Sequence, residues 1–192
     1  MNLLSVNDLS IGYKRKKIQS SLSFDLNEGE LLWIKGDNGS GKSTLVKTLL
    51  GQIKPISGRF KWNLPHKEIG FLPQTLEQQL SIPLTIGEVL SSYENETFSD
   101  IQLIDESKMN IPFNKASGGE KQRTLISLEV LKGKRVLVLD EPLNHLDQTS
   151  RRAVWELVMK LMKDKLVSGF VIISHIKPET DHVFNLKEVT LS

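Results

Sequence analysis

Gly36-Asp37-Asn38-Gly39-Ser40-Gly41-Lys42-Ser43 is the stretch on which the reading of this chain turns. It fits the pattern G-x-x-x-x-G-K-[ST], and its surroundings fit as well. The apolar run Glu30–Lys35 before it reads as a strand, and Lys42–Leu50, stopped by Gly51, reads as a helix. Glycines let successive backbone N–H groups converge on phosphate oxygens, and the helix N-terminus adds a favourable dipole. The candidate cradle is Gly36, Asn38, Gly39, Ser40, Gly41 and Thr44, with Lys42 reaching the β- and γ-phosphates and the Ser43 hydroxyl ligating Mg²⁺. A loop that only turns a strand into a helix is the plain alternative, and the Lys-Ser pair in this context speaks against it.

Outward from this loop, the last third of the chain alternates cleanly. Gly118–Lys132 reads as a helix, Arg135–Leu139 as an apolar strand, and Phe170–Ser174 as another. Between those strands Val154, Leu157, Val158, Leu161 and Met162 mark one buried helical face. Unalternating apolar strands separated by helices predict a parallel sheet covered on both faces, which binds ligands at the carboxyl ends of its strands. On the other side, the first thirty residues read as short β-prone runs and turns, and Phe60–Trp62 and Ile69–Leu72 as further strands. Residues 75–115 differ in texture, with short helices expected at Thr85–Tyr93 and near Ser99–Glu106.

The 192 residues carry 25 Lys+Arg against 23 Asp+Glu, a net charge of +2 that argues against nucleic-acid binding by bulk charge. Zero cysteines exclude disulfides, thiolate metal sites and cysteine nucleophiles. Apolar runs such as Leu31–Ile34 and Val136–Leu139 are too short to span a bilayer, and Met1–Asp8 lacks the pattern of an export signal, so a cytoplasmic chain is expected.

A second group of candidates follows the strand Val136–Leu139, which ends in Asp140-Glu141-Pro142. An acid at a buried strand end needs a partner, which makes Asp140 a candidate for the Mg²⁺ that Ser43 holds. Glu141 is then the candidate that polarises the water attacking a γ-phosphate. Ser117-Gly118-Gly119-Glu120 opens the helix at Gly118. Read locally, it is equally a second anion site or an ordinary cap in which Ser117 and Glu120 form a capping box.

The order of motifs resembles the ATP-binding cassette (ABC) ATPases: the glycine loop, ASGGEKQR at Ala116–Arg123, VLVLDEP at Val136–Pro142, NHLD at Asn144–Asp147, and ISH at Ile173–His175. That resemblance covers nearly the whole chain and implies an α/β fold. Its parts are a P-loop NTPase core with a mixed, mainly parallel sheet flanked by helices, an N-terminal antiparallel β subdomain, and a short helical insertion. It divides the chain into a core of residues 1–74 and 116–192 and a reduced helical subdomain of 75–115. It implies that Gln74, in FLPQ, touches Mg²⁺ and the attacking water, and that Tyr13 stacks on adenine. It further implies a head-to-tail dimer in which Ser117, Gly118 and Gly119 meet the nucleotide on the partner's P-loop. Asp147 then lies across the interface, and His175 reaches the γ-phosphate as a switch.

The expected activity is therefore Mg²⁺-dependent ATP hydrolysis that powers a membrane transporter, with a second cassette, in a homodimer, and an integral membrane subunit as partners. The chain would lie peripherally on the cytoplasmic face, and no nucleic acid is expected. The membrane subunit would dock near Gln74, Leu76, Leu80, Ile82 and Leu84. A soluble cassette acting on ribosomes or nucleic acid is the rival enzyme reading, because NHLD resembles the translation-associated subfamily. A regulatory cassette that binds ATP without hydrolysing it is the third, and the intact Gln74, Glu141 and His175 argue against it. Ala116 and Glu120 depart from the residues usual in the family, and Lys14-Arg15-Lys16-Lys17 reads as a solvated hairpin turn. Cargo and transport direction do not follow from the sequence.

Overall fold

The computed structural model describes residues 1–13, 16–74, 83–93, 103–178 and 185–191. Among the described residues, eight strands form two sheets. In the larger, β3 (Glu30–Gly36), β5 (Ile69–Leu72), β6 (Val136–Asp140), β7 (Gly169–Ile173) and β8 (Asn185–Leu191) lie in the order β5-β6-β7-β3-β8. All four of its pairings are parallel. The smaller sheet is antiparallel, ordered β2-β1-β4 from β1 (Asn2–Tyr13), β2 (Lys16–Asn27) and β4 (Ser57–Trp62). The expected mixture of strand directions is thus divided between two sheets.

Each central strand is apolar on both faces because both faces are covered. Leu31 and Trp33 of β3, Leu137 and Leu139 of β6, and Phe170 and Ile172 of β7 face one core. That core is closed by α3 (Gly118–Leu131), through Leu125, Ile126 and Val130, and by α4 (Gln148–Lys163), through Val154, Leu157, Val158 and Leu161. The intervening residues Leu32, Ile34, Val136, Val138, Val171 and Ile173 face a second core. It is closed by α1 (Lys42–Leu49), through Leu45, Val46 and Leu49, and by the small sheet. Each fully buried side chain of this kind contributes roughly 1.5–3 kcal/mol.

Two features differ from the sequence reading. The first thirty residues build two twelve-residue strands rather than several short ones. Register shifts in β1 and the positive φ of Asp8 (46°) and Ser21 (56°) break the alternation that would have announced a long strand. The second is β8, a parallel edge strand. Its start is anchored where Lys187 Nζ meets Glu30 Oε2 at 2.8 Å.

Of residues 75–115, those described form α2 (Ile86–Ser91), capped by Thr85 and Glu88 in a capping box, and two single 3₁₀ turns, Glu106–Lys108 and Phe113–Lys115. The amides of Ile86 and Gly87 donate to Ile111 and Met109 at 2.9 Å each. Leu76, Leu80, Ile82 and the first four residues of Ser99–Glu106 lie outside the described residues, as do residues 14 and 15 of the basic run; Lys16 and Lys17 begin β2.

Candidate active site

Four neighbouring strands, β5, β6, β7 and β3, end level with one another, since Leu72 pairs with Leu139, Asp140 with Ile173, and Ile173 with Ile34. Gln74, Asp140-Glu141, His175 and the glycine loop follow those four ends in turn, so distant segments meet over one cleft.

The loop turns from β3 into α1 through Gly39 (φ 89°) and Gly41 (φ 96°), backbone conformations that glycine reaches without strain. Gly41 is the position preceding α1, and no side chain caps that helix. Its first N–H groups therefore face the cleft without an acceptor among the described residues, the condition for binding an anion. Gln19 Nε2 donates to Ser40 O at 3.1 Å and pins the loop from β2. The Lys42 ammonium lies back across the loop, donating to Gly36 O (2.7 Å) and Asp37 O (2.9 Å).

The cleft has a volume of about 620 Å³ and is lined by Ile18, Gly36, Asp37, Asn38, Gly39, Gly41, Lys42, Ser43, Thr44, Gln74, Asp140, Glu141, Asn144 and His175. Ile18, Asp37 and Asn144 are not among the expected site residues, although Asp37 and Asn144 lie within the glycine loop and the NHLD motif. Ile18 sits on β2, far from the glycine loop in sequence. The Asn144 amide donates to Glu141 O at 3.1 Å, within a turn that no motif at residues 140–142 announces.

Burial pushes the Asp140 carboxyl above its ordinary range, and the adjacent Glu141 charge adds to the effect; Lys42 and Lys47 offset part of it. A carboxylate so placed favours a cation at its oxygens. Glu141 has φ 50°, an unusual value for a bulky residue, and its amide donates to Ile173 O at 2.8 Å. That conformation turns its side chain toward His175, whose Nδ1 lies 3.0 Å from Glu141 Oε2. Behind His175, the buried indole of Trp33 donates to Ser174 O at 2.8 Å.

The remaining candidates do not line the cleft. Tyr13, at the end of β1, is 46% exposed and does not line it. Ser40 is in the loop, but its Oγ is buried and without a hydrogen-bond partner among the described residues. Ser117 precedes α3 in a capping box: its Oγ accepts from the Glu120 amide (3.3 Å), and Ser117 N and Oγ both donate to Glu120 Oε2 at 2.9 Å. Gly118 borders a smaller hollow of about 200 Å³ beside Gln74, Glu141 and His145. Asp147 caps α4, accepting from Ser150 N and Oγ at 2.9 Å each. Gly119 lets α3 and α4 close at this corner, where an added Cβ would stand 2.7 Å from Ser150 Cβ.

This fold and cleft define a P-loop nucleotide-binding cassette. The ABC transporter family model matches residues 19–144, and the chain belongs to that family. It is an ATP-binding subunit whose hydrolysis of ATP is coupled to transport. It is 32% identical to a zinc import ATP-binding protein, ZnuC 1, of Hahella chejuensis, covering 96% of this chain and 74% of that protein. Among solved structures, it is similar to a metal-chelate type ABC transporter in an inward-facing conformation. There the identity is 26% and the TM-score 0.72, over 91% of this chain and 74% of that one. Its fold is also that of cbiO1 from Clostridium perfringens, part of the transporter complex cbiONQ, with 23% identity and TM-score 0.76 over 91% and 79% of the two chains. Among the described residues, no helix is long and apolar enough to cross a membrane.

Proposed function

We propose that the cleft binds Mg²⁺-ATP and that two copies of this chain close head to tail around two nucleotides to drive a metal importer. The observation that carries this reading is the convergence of Lys42, Ser43, Gln74, Asp140, Glu141 and His175 on one cleft from four strand ends. The uncapped start of α1 takes the phosphates, and Lys42 exchanges its loop carbonyls for phosphate oxygens. Ser43, Gln74 and Asp140 fit Mg²⁺ through the raised affinity of the Asp140 carboxyl for positive charge. No cluster of three His, Cys, Asp or Glu able to hold a metal exists among the described residues, and Mg²⁺ in such sites relies largely on phosphate and water. When bound, Mg²⁺ supplies charge stabilisation at the phosphate oxygens.

Glu141 orients the attacking water and takes its proton, while His175, tethered to Glu141, follows the γ-phosphate. Tyr13 stacks on adenine, and Ser117, Gly118, Gly119 and Asp147 serve the nucleotide held by the other copy. Residues 75–115 form a reduced helical subdomain, and an integral membrane subunit docks beside Gln74 and Leu84 on the cytoplasmic face. Metal import is supported by the zinc import relative and by the metal-chelate type transporter.

The test is capture of partners by tagged Glu141→Gln chain loaded with ATP in the native host, alongside metal uptake. Recovery of a polytopic membrane protein, with metal uptake lost in the variant, is expected. Recovery of ribosomes or nucleic-acid-bound proteins replaces the reading with the soluble one, and undiminished metal uptake sinks the import assignment.

A further inference from the structure

Glu120 brings a negative charge to the start of α3, the place where a second anion is to be met. Its two oxygens have separate duties. Oε2 receives Ser117 N and Ser117 Oγ at 2.9 Å each, and Oε1 receives Lys108 Nζ at 3.0 Å. The Glu120 side chain is 14% exposed and that of Lys108 41%, so the pair is half sheltered from water. Lys108 closes the single 3₁₀ turn Glu106–Lys108, which is tied to α2 through the Gly87–Met109 hydrogen bond. The contact therefore joins the described segments 83–93 and 103–115 to the first turn of the core helix α3.

We infer that Lys108 is a positioning residue for Ser117: it cancels the charge of Glu120 and holds that carboxylate where it orients the Ser117 hydroxyl and amide. A carboxylate in the first turn of a helix suits the helix dipole but opposes an approaching phosphate. With Lys108 in place the pair is neutral, and the capping geometry is kept without the repulsion. Without Lys108, the charge of Glu120 stands uncompensated beside an anion site. The inference rests on the proposal that Ser117 meets the nucleotide of a second copy.

The experiment measures ATP-driven self-association of the full chain in the Glu141→Gln background by light scattering. Lys108→Met is expected to weaken association about tenfold, Lys108→Glu more, and Lys108→Arg little, as charge complementarity at an interface requires. Adding Glu120→Gln to Lys108→Met, which deletes the charge to be cancelled, is expected to restore association. A purely structural role would instead lower the thermal midpoint and would not be rescued by removing a charge. Comparing Glu120→Gln with and without Lys108→Met keeps the test valid if Lys108→Met alone is unstable. Undiminished association of Lys108→Met, or failure of Glu120→Gln to restore it, overturns the inference. If Ser117→Arg associates as well as the parent, or the parent shows no ATP-driven association, the head-to-tail proposal itself falls.

Discussion

His175 Nδ1 stands 3.0 Å from Glu141 Oε2, joining the residue after β6 to the segment after β7 across the mouth of the cleft. The carboxylate is 9% exposed and the imidazole 59%, so the acid is enclosed and the histidine reaches into solvent. Glu141→Gln keeps the shape and removes the base. Phosphate release is expected to fall at least about 100-fold while ATP affinity is retained. His175→Ala is expected to lower turnover similarly. Steady-state phosphate release with a separate nucleotide-binding titration checks both.

Asp140 gives a prediction with a sign in pH. Its ordinary value is 3.8 and burial raises it, so the folded chain holds this proton more tightly than the unfolded chain. The stability contribution of the group therefore falls as pH rises through the interval between the two values and stays low above it. Asp140→Asn is expected to raise the melting temperature of the chain without nucleotide at neutral pH, and not below pH about 3.5. The same variant is expected to lose the Mg²⁺ dependence of ATP binding. Thermal melts across pH and a Mg²⁺ titration read the two effects.

At the corner of α3 and α4, helix propensity and packing make opposite demands. Gly119→Ala gains up to about 1 kcal/mol of propensity. The new methyl group, however, meets Ser150 Cβ at 2.7 Å and Oγ at 2.9 Å, and such overpacking costs about 1–3 kcal/mol. Net destabilisation is expected, and it should shrink when Ser150→Gly is present. A double-mutant cycle in urea measures the coupling.

Trp33 acts on the site from beneath. Trp33→Phe leaves Ser174 O buried without its donor, at a cost of about 1–3 kcal/mol. Because Ser174 precedes His175, turnover is expected to fall more than ATP affinity. Urea denaturation and phosphate release test the two parts.

Local chemistry made part of this legible. The glycine loop, the acids after an apolar strand and the helical face from Val154 to Met162 each carry their signal within a few residues. Strand order does not, because β6 and β7 come between β5 and β3 only through crossover connections. Ile18 is a wall of the cleft because β2 passes under Gly41, whose added Cβ would lie 2.6 Å from Ile18 Cγ2, and no local pattern marks that meeting. The strand β8 was hidden by its polar edge residues Lys187, Glu188 and Thr190. At Ser117 the choice between cap and anion site was open. The capping box is present, and the hydroxyl that makes it is the group proposed to meet phosphate.

Lys42 grips Gly36 O and Asp37 O within its own loop, so the phosphate binding proposed above would be an exchange reaction. The ammonium would surrender two carbonyls as it gained phosphate oxygens, so its net gain would be a difference between two good ligand sets. A polyanion with oxygens spaced to take the amides and the lysine together would complete that exchange; a single small anion would leave the lysine on its carbonyls. On that proposal the loop would discriminate by the number of phosphates presented, before any base or sugar is touched.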